Sequence, residues 1–259
     1  MWAILSLLVL HWSVSIFGQS FFHHRYGAHR MFQMSPFWER FFYVFTFIAQ
    51  APSFLVPRAY AILHRQHHAF SDTEKDPHSP LFWPNAGVMM LQTKHRYDAY
   101  AYQREEPEAR FDGGVPEWPF LDKLSQHWGT RVFLGGLFVL FYLRFAPTLW
   151  WFLLLPIHWL LGPIHGAVVN WCGHKYGYVN YDNGDHSKNT LIFDFVTFGE
   201  LFQNNHHKFG MSPNFGVRWF ELDPCYQVMK VLNLVGIIDM SGAQVPRYPL
   251  ARVAPATPE

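Results

Sequence analysis

Sixteen histidines stand in this 259-residue chain, and half of them fall into short clusters separated by ordinary sequence. HRYGAH runs from His24 to His29, and HRQHH places His64, His67 and His68 at i, i+3 and i+4, one face of a helix. QNNHH repeats that spacing in Gln203, His206 and His207, with glutamine in the leading place, and NWCGH sets Asn170 and His174 one helical turn apart. A lone histidine on a helix is a hydrogen-bonded structural residue more often than a ligand. Four clusters reverse that expectation. Neutral imidazole suits iron, zinc, copper and nickel, and eight histidines exceed the coordination number of one ion, so the count predicts two metals. The scarcity of glutamates separates such a site from the carboxylate-bridged bundles, whose ions rest on Glu and Glu-x-x-His. A redox metal, iron, fits oxygen chemistry beside a membrane, which zinc does not.

The elements that position these residues read from the apolar stretches. Residues 1–22 carry no charge and match a bilayer core in length, so they predict a spanning helix. The stretch 41–57 contains Pro52, and a single crossing there would put histidine clusters on opposite sides, so it predicts an interfacial or re-entrant helix. Val132 through Asn170 is apolar except for Arg144, which with Pro147 divides it into a hairpin of two spans, roughly 131–143 and 147–169. The fold expected is all-α: three transmembrane helices, an interfacial helix and a helical cap of residues 58–126 and 175–245. Residues 1–245 form one domain, and a Pro- and Ala-rich disordered tail occupies 246–259. Arg144 alone lies on the far side, and the other 19 Lys and Arg accompany the histidines, so the metal site faces the cytoplasm. A net charge of +1 without a basic stripe excludes nucleic acid, and Cys172 and Cys225 form neither a disulfide framework nor a zinc pattern.

HRYGAH, HRQHH, NWCGH and QNNHH, in this order, resemble the histidine boxes of membrane fatty-acid desaturases of the acyl-CoA delta-9 (stearoyl-CoA) type. FSDTEKDPH, Phe70 to His78, and GELFQNNHHKF, Gly199 to Phe209, extend the resemblance, which covers nearly the whole chain from about Gly18 to Phe220. It implies that His24, His29, His64, His67, His68, His174, His206 and His207 hold two irons, with Asn170 acting through water. In the family the third box usually opens with histidine; here Gln203 offers a weaker amide oxygen. A second departure is that the family usually has a transmembrane hairpin ahead of its first box, and this chain shows one span there.

Asp76, His78 and Glu200 are candidates for orienting the ligand imidazoles, and Glu74 and Asp185 share that reading. His23, His95, His127, His158, His165 and His186 match no box, and His158 and His165 are expected to hydrogen-bond between helices. The activity implied is O₂-dependent insertion of a double bond into a long acyl chain. Electrons would come from a separate ferredoxin or small haem protein with its reductase, at a bacterial inner membrane. The alternatives are a hydroxylase on the same scaffold, acting on lipids, alkanes or sterols, and a non-catalytic membrane metal-binding protein.

Overall fold

The computed structural model describes residues 1–248. It is mostly helical. The apolar N-terminus forms α1 (Trp2–Phe17), which runs without a break into a π-helical segment, Gly18–Ala28. Together they make one 27-residue helix long and apolar enough to cross a membrane. The sequence marks only its first 22 residues, because His23, His24 and Arg25 are polar; all three are nonetheless buried.

After a turn at Arg30, β1 (Gln33–Met34) pairs antiparallel with β2 (Ile238–Asp239) and ties this segment to the C-terminal region. Pro36 at the first helical position opens α2 (Pro36–Gln50). Its buried face, Phe42, Tyr43, Thr46 and Ala49, packs on α1, while Phe37, Phe41, Val44 and Ile48 form an exposed apolar stripe. The helix therefore starts before residue 41 and ends at Gln50, since Pro52 cannot donate to a continuing ladder. A 3₁₀ turn, Ala51–Ser53, leads to α3 (Pro57–Phe70), again opened by proline.

The cap continues with α4 (Ala86–Ala101), whose N-cap Asn85 accepts from Val88 N, and α5 (Pro119–Gln126). Next comes α6 (Trp128–Phe145), a second helix long and apolar enough to cross a membrane, with little of it buried in protein. Leu149–Trp159, ending in α7 (Leu155–Trp159), and α8 (Leu161–Cys172) meet at a bend of 68° and pass the same length test only as one broken span. Pro163 in the first turn of α8 removes a donor at that break. The spans are pinned by a polar contact: His158 lies 2.8 Å from His11 through its Nδ1 and 2.9 Å from the Tyr142 hydroxyl through its Nε2. Irregular chain leads from α8 to the short α9 (Gln203–Lys208) and then α10 (Pro224–Leu234), capped by Asp223 accepting from Tyr226 N. The largest core cluster, including Phe21, Phe22, Tyr43, Phe54 and Met229, joins the end of the first span to α2 and α10.

Of the residues the sequence assigns to a disordered tail, 246–248 are described: Arg247 O accepts from the Tyr181 hydroxyl at 2.5 Å and the Tyr248 hydroxyl accepts from Arg218 at 2.7 Å. Residues 249–259 lie outside the described part.

Candidate metal centre

The five-residue spacing of His24 and His29 fits a single site only because of the π-helical winding. Residues five apart on an α-helix diverge by about 140°, whereas i→i+5 hydrogen bonding, seen in His29 N to His24 O at 3.1 Å, keeps them together. On α3 and α9 the boxes divide. His64 and His68 join His24, His29 and His206 in one cluster, while His67 and His207 turn to a second cluster with His174.

In the first cluster the five Nε2 atoms converge. His29 and His64 stand 2.6 Å apart, His68 and His206 2.9 Å, and His24–His206 and His64–His68 3.0 Å. Two nitrogens bound cis at about 2.1 Å from one ion would stand about 3 Å apart. Buried lone pairs facing one another at this range repel unless a cation or proton lies between them. Burial, and then the neighbouring imidazoles, joined for His29 by Arg65 and Arg25, hold His29, His64, His68 and His206 well below the usual imidazole range, which favours the neutral form able to bind a metal.

The second cluster has a different construction. His67 Nδ1 donates to Asp76 (2.9 Å), His174 Nδ1 to Asp72 (2.9 Å) and His207 Nδ1 to Asp185 (2.6 Å). Each bond fixes a tautomer and leaves Nε2 as the free acceptor, and all three Nε2 atoms are buried with no partner. Burial alone would raise the three carboxyls; the imidazoles beside them outweigh it and hold Asp72 at about 2, with Asp76 and Asp185 also below the ordinary carboxylate range. Three orphaned, convergent imidazole nitrogens beside five more fit a pair of metal ions.

The candidate orienting residues fall in different places. Glu200 accepts from His24 Nδ1 at 2.5 Å and from the Ser20 hydroxyl. Ser20 in turn accepts from the fully buried Arg25, which pairs with Asp223 at 2.7 Å. Asp76 and Asp185 accept from His67 and His207. The His78 ring lies 4.5 Å from that of His67 without a hydrogen bond, its backbone N–H donating instead to Asp76. Glu74 is exposed and bonds to no imidazole among the described residues.

Gln203 donates Nε2 to the Glu200 carbonyl at 2.6 Å, and since a carbonyl accepts only from the amide nitrogen, this fixes which way the amide points. Its stem packs so closely on the end of α8 that a Cβ at Gly173 would stand 2.5 Å from Gln203 Cγ. Asn170 and Gln203 both border a cavity of about 880 Å³ between α4, α6 and α8, whose walls also include His24, His64 and His165.

Sequence reasoning overlooked three contributors. Asp72, with φ of 57° just past the end of α3, reaches His174 from 102 residues away; its only signal was membership of FSDTEKDPH. Asn204 and Asn205, the middle of QNNHH, are buried pins. Asn204 accepts from Asn180 N and Tyr181 N, and Asn205 donates to Phe215 O and Glu221, which fixes the one-and-a-half turns of α9 that present His206 and His207.

The matching family model is fatty acid desaturase, over residues 1–233. Similar proteins include the sn-1 stearoyl-lipid 9-desaturase of Anabaena variabilis, 30% identical over 243 residues, 91% of this chain and 83% of that protein. The sn-1 stearoyl-lipid 9-desaturase of Synechocystis sp. is 30% identical over 83% of this chain and 64% of its own length. An acyl-CoA 5-desaturase of Anemone leveillei is 29% identical over 89% of this chain and 68% of its own. With two convergent imidazole clusters beside an apolar cavity and a match over nine-tenths of its length, the chain belongs to the fatty acid desaturase family of membrane oxidoreductases acting on fatty acyl chains.

Proposed function

We propose that this chain is an O₂-dependent di-iron desaturase that introduces a cis double bond at the delta-9 position of a long-chain fatty acyl substrate. The observation that carries the reading is the pair of imidazole clusters set against an apolar cavity of about 880 Å³. When bound, the irons supply the oxidising power for O₂ to take two hydrogens from adjacent methylenes, with two further electrons and two protons completing its reduction to water. Everything else falls to the chain.

Tyr60 and Leu63 of α3, Met90 of α4, Val132 of α6 and Pro163 of α8 wall the cavity with apolar surface that holds methylenes and keeps water out. Gly135, Gly136 and Gly166 leave room along the two span helices. Lys94, Asp98 and Gln126 give the same cavity the polar groups needed to seat an ester head group. The similar proteins include stearoyl-lipid desaturases and an acyl-CoA desaturase, so the substrate is an acyl chain carried by a lipid or a thioester. Asp72, Asp76, Asp185 and Glu200 orient the imidazoles and offset the charge of the ions. Electrons come from a separate carrier, ferredoxin or a small haem protein with its reductase, docking on the cytoplasmic side of a bacterial inner membrane.

The test is fatty-acid profiling of a desaturase-deficient host expressing the chain, beside a His67→Ala, His68→Ala double variant. New monounsaturated acids in the first strain only, with the bond at carbon 9, are expected. Hydroxy acids would move the reading to a hydroxylase, and an unchanged profile from metal-loaded protein would remove acyl chains as substrate.

A further inference from the structure

We propose that the loop 191–198, between α8 and α9, is inserted in the bilayer as a second membrane anchor, so that the underside of the metal-binding cap sits within the lipid rather than above it. The polarity of this loop is inverted. Ile192, Phe193, Phe195 and Val196 are 56%, 58%, 59% and 55% exposed, while the only charged residue among them, Asp194, is fully buried. Its carboxylate accepts from Thr197 N and Leu201 N, each at 2.8 Å, and its carbonyl accepts from Gly199 N at 3.1 Å. The turn is therefore braced from inside, and its apolar side chains are held outward by design of the fold rather than by laxity. In water such a patch is unfavourable; in a membrane it is the expected arrangement.

The loop's position identifies what covers it. Trp12 of α1 donates Nε1 to Val196 O at 2.8 Å, which satisfies a backbone acceptor that lipid could not. Trp12 precedes the π-helical segment at Gly18 by six residues, which places the contact about 9 Å further into the apolar part of the helix. Phe17 continues the surface in both directions, its ring 6.3 Å from Phe198 of the loop and 6.0 Å from Phe45 of α2. Around the first span the loop and the apolar stripe of α2, Phe37, Phe41, Val44 and Ile48, thus form an apolar collar beside a membrane-crossing helix, with Arg40 at its edge turned to Glu117 O and Trp118 of the cap. Phe193 bridges to Leu222, three residues after the 94% exposed Trp219, an amphipathic ring suited to the headgroup level. Lipid is the occupant this continuity selects.

The experiment uses full-length, metal-loaded protein in nanodiscs, with Cys172→Ser to leave only the buried Cys225. Bimane is attached at Phe193→Cys, and in a second variant at Phe195→Cys. Reference labels sit at Leu137→Cys, on the exposed face of α6, and Glu105→Cys, in the cap. Quenching by bromine-labelled phosphatidylcholine at the Leu137 level, with iodide quenching several-fold below that at Glu105, is the expected result. Iodide quenching equal to that at Glu105 would place the loop in water and overturn the proposal. Protection from both quenchers would mean a protein cover, a second copy or another partner, and would overturn it equally.

Discussion

Of the five imidazoles His24, His29, His64, His68 and His206, only His24 rests its Nδ1 on a carboxylate among the described residues; in the group His67, His174 and His207 every member does. One cluster is rich in ligands and nearly free of negative charge around them. Its neighbour has two fewer imidazoles and three anionic partners. A carboxylate behind an imidazole raises its basicity and lowers the cost of placing a dication in a buried site. The second site thus compensates in charge for what it lacks in imidazoles; in the proposed enzyme, water, Asn170 acting through water and the amide oxygen of Gln203 would fill its remaining positions. The two irons of the proposed enzyme should therefore differ in how they fail.

The largest effect expected is from His207→Ala, which leaves two imidazoles at the smaller site: one of two iron equivalents is lost and desaturation falls by more than about a hundredfold. His29→Ala leaves four imidazoles at the larger site, keeps both irons and reduces activity by about tenfold. Iron analysis of the purified variants beside product formation checks the pair, and an iron lost from His29→Ala but kept in His207→Ala would invert the comparison. Next in size, Asp185→Asn or Asp76→Asn should weaken iron at the smaller site by about ten- to a hundredfold. Glu200→Gln, touching one ligand in five, should cost less, as read from iron retained against a graded chelator.

How far these differences show in the sequence depends on distance along the chain. The i, i+3, i+4 spacing and the box motifs name eight histidines, and the uncharged stretches name the apolar segments of α1, α6 and the broken α7–α8 span. What spacing does not show is the sorting. His67 and His68, like His206 and His207, are neighbours turned about 100° apart, so each helix feeds both clusters. Nor does it show Asp72, which acts across 102 residues from a left-handed turn. The 27-residue first helix was hidden for another reason: residues 23–28 read as an aqueous exit, but His23, His24 and Arg25 are interior groups paired with Leu55 O, Glu200 and Asp223.

Gln203→His sharpens the comparison further. A fourth imidazole at the smaller site removes the deficit, so chelator should extract the weaker iron about tenfold more slowly than from the wild type, with the larger site unchanged. Equal release of both irons from the wild type would show the sites to be matched after all and Gln203 to be neutral.

The smallest effect concerns the metal-free protein and acid. In the larger cluster His29, His64, His68 and His206 are held below their unfolded value of 6.5 by burial and by one another. Their neutral form is the one the fold accepts, so the stability it contributes is complete above about pH 6.5 and is lost as pH falls below that value. In the smaller cluster His207 is likewise lowered by burial, to about 4, and titrates with them, whereas the contribution of Asp72, Asp76 and Asp185 persists until pH drops below about 4. Between pH 7.5 and 5.5 the thermal midpoint of metal-free protein in detergent should therefore fall. Replacing His64 by Gln removes one of the titrating groups and should flatten that slope, whereas Asp72→Asn should lower the midpoint at both pH values while leaving the slope in place. A slope unchanged by His64→Gln but abolished by Asp72→Asn would assign the acid sensitivity to the carboxylate-backed cluster instead.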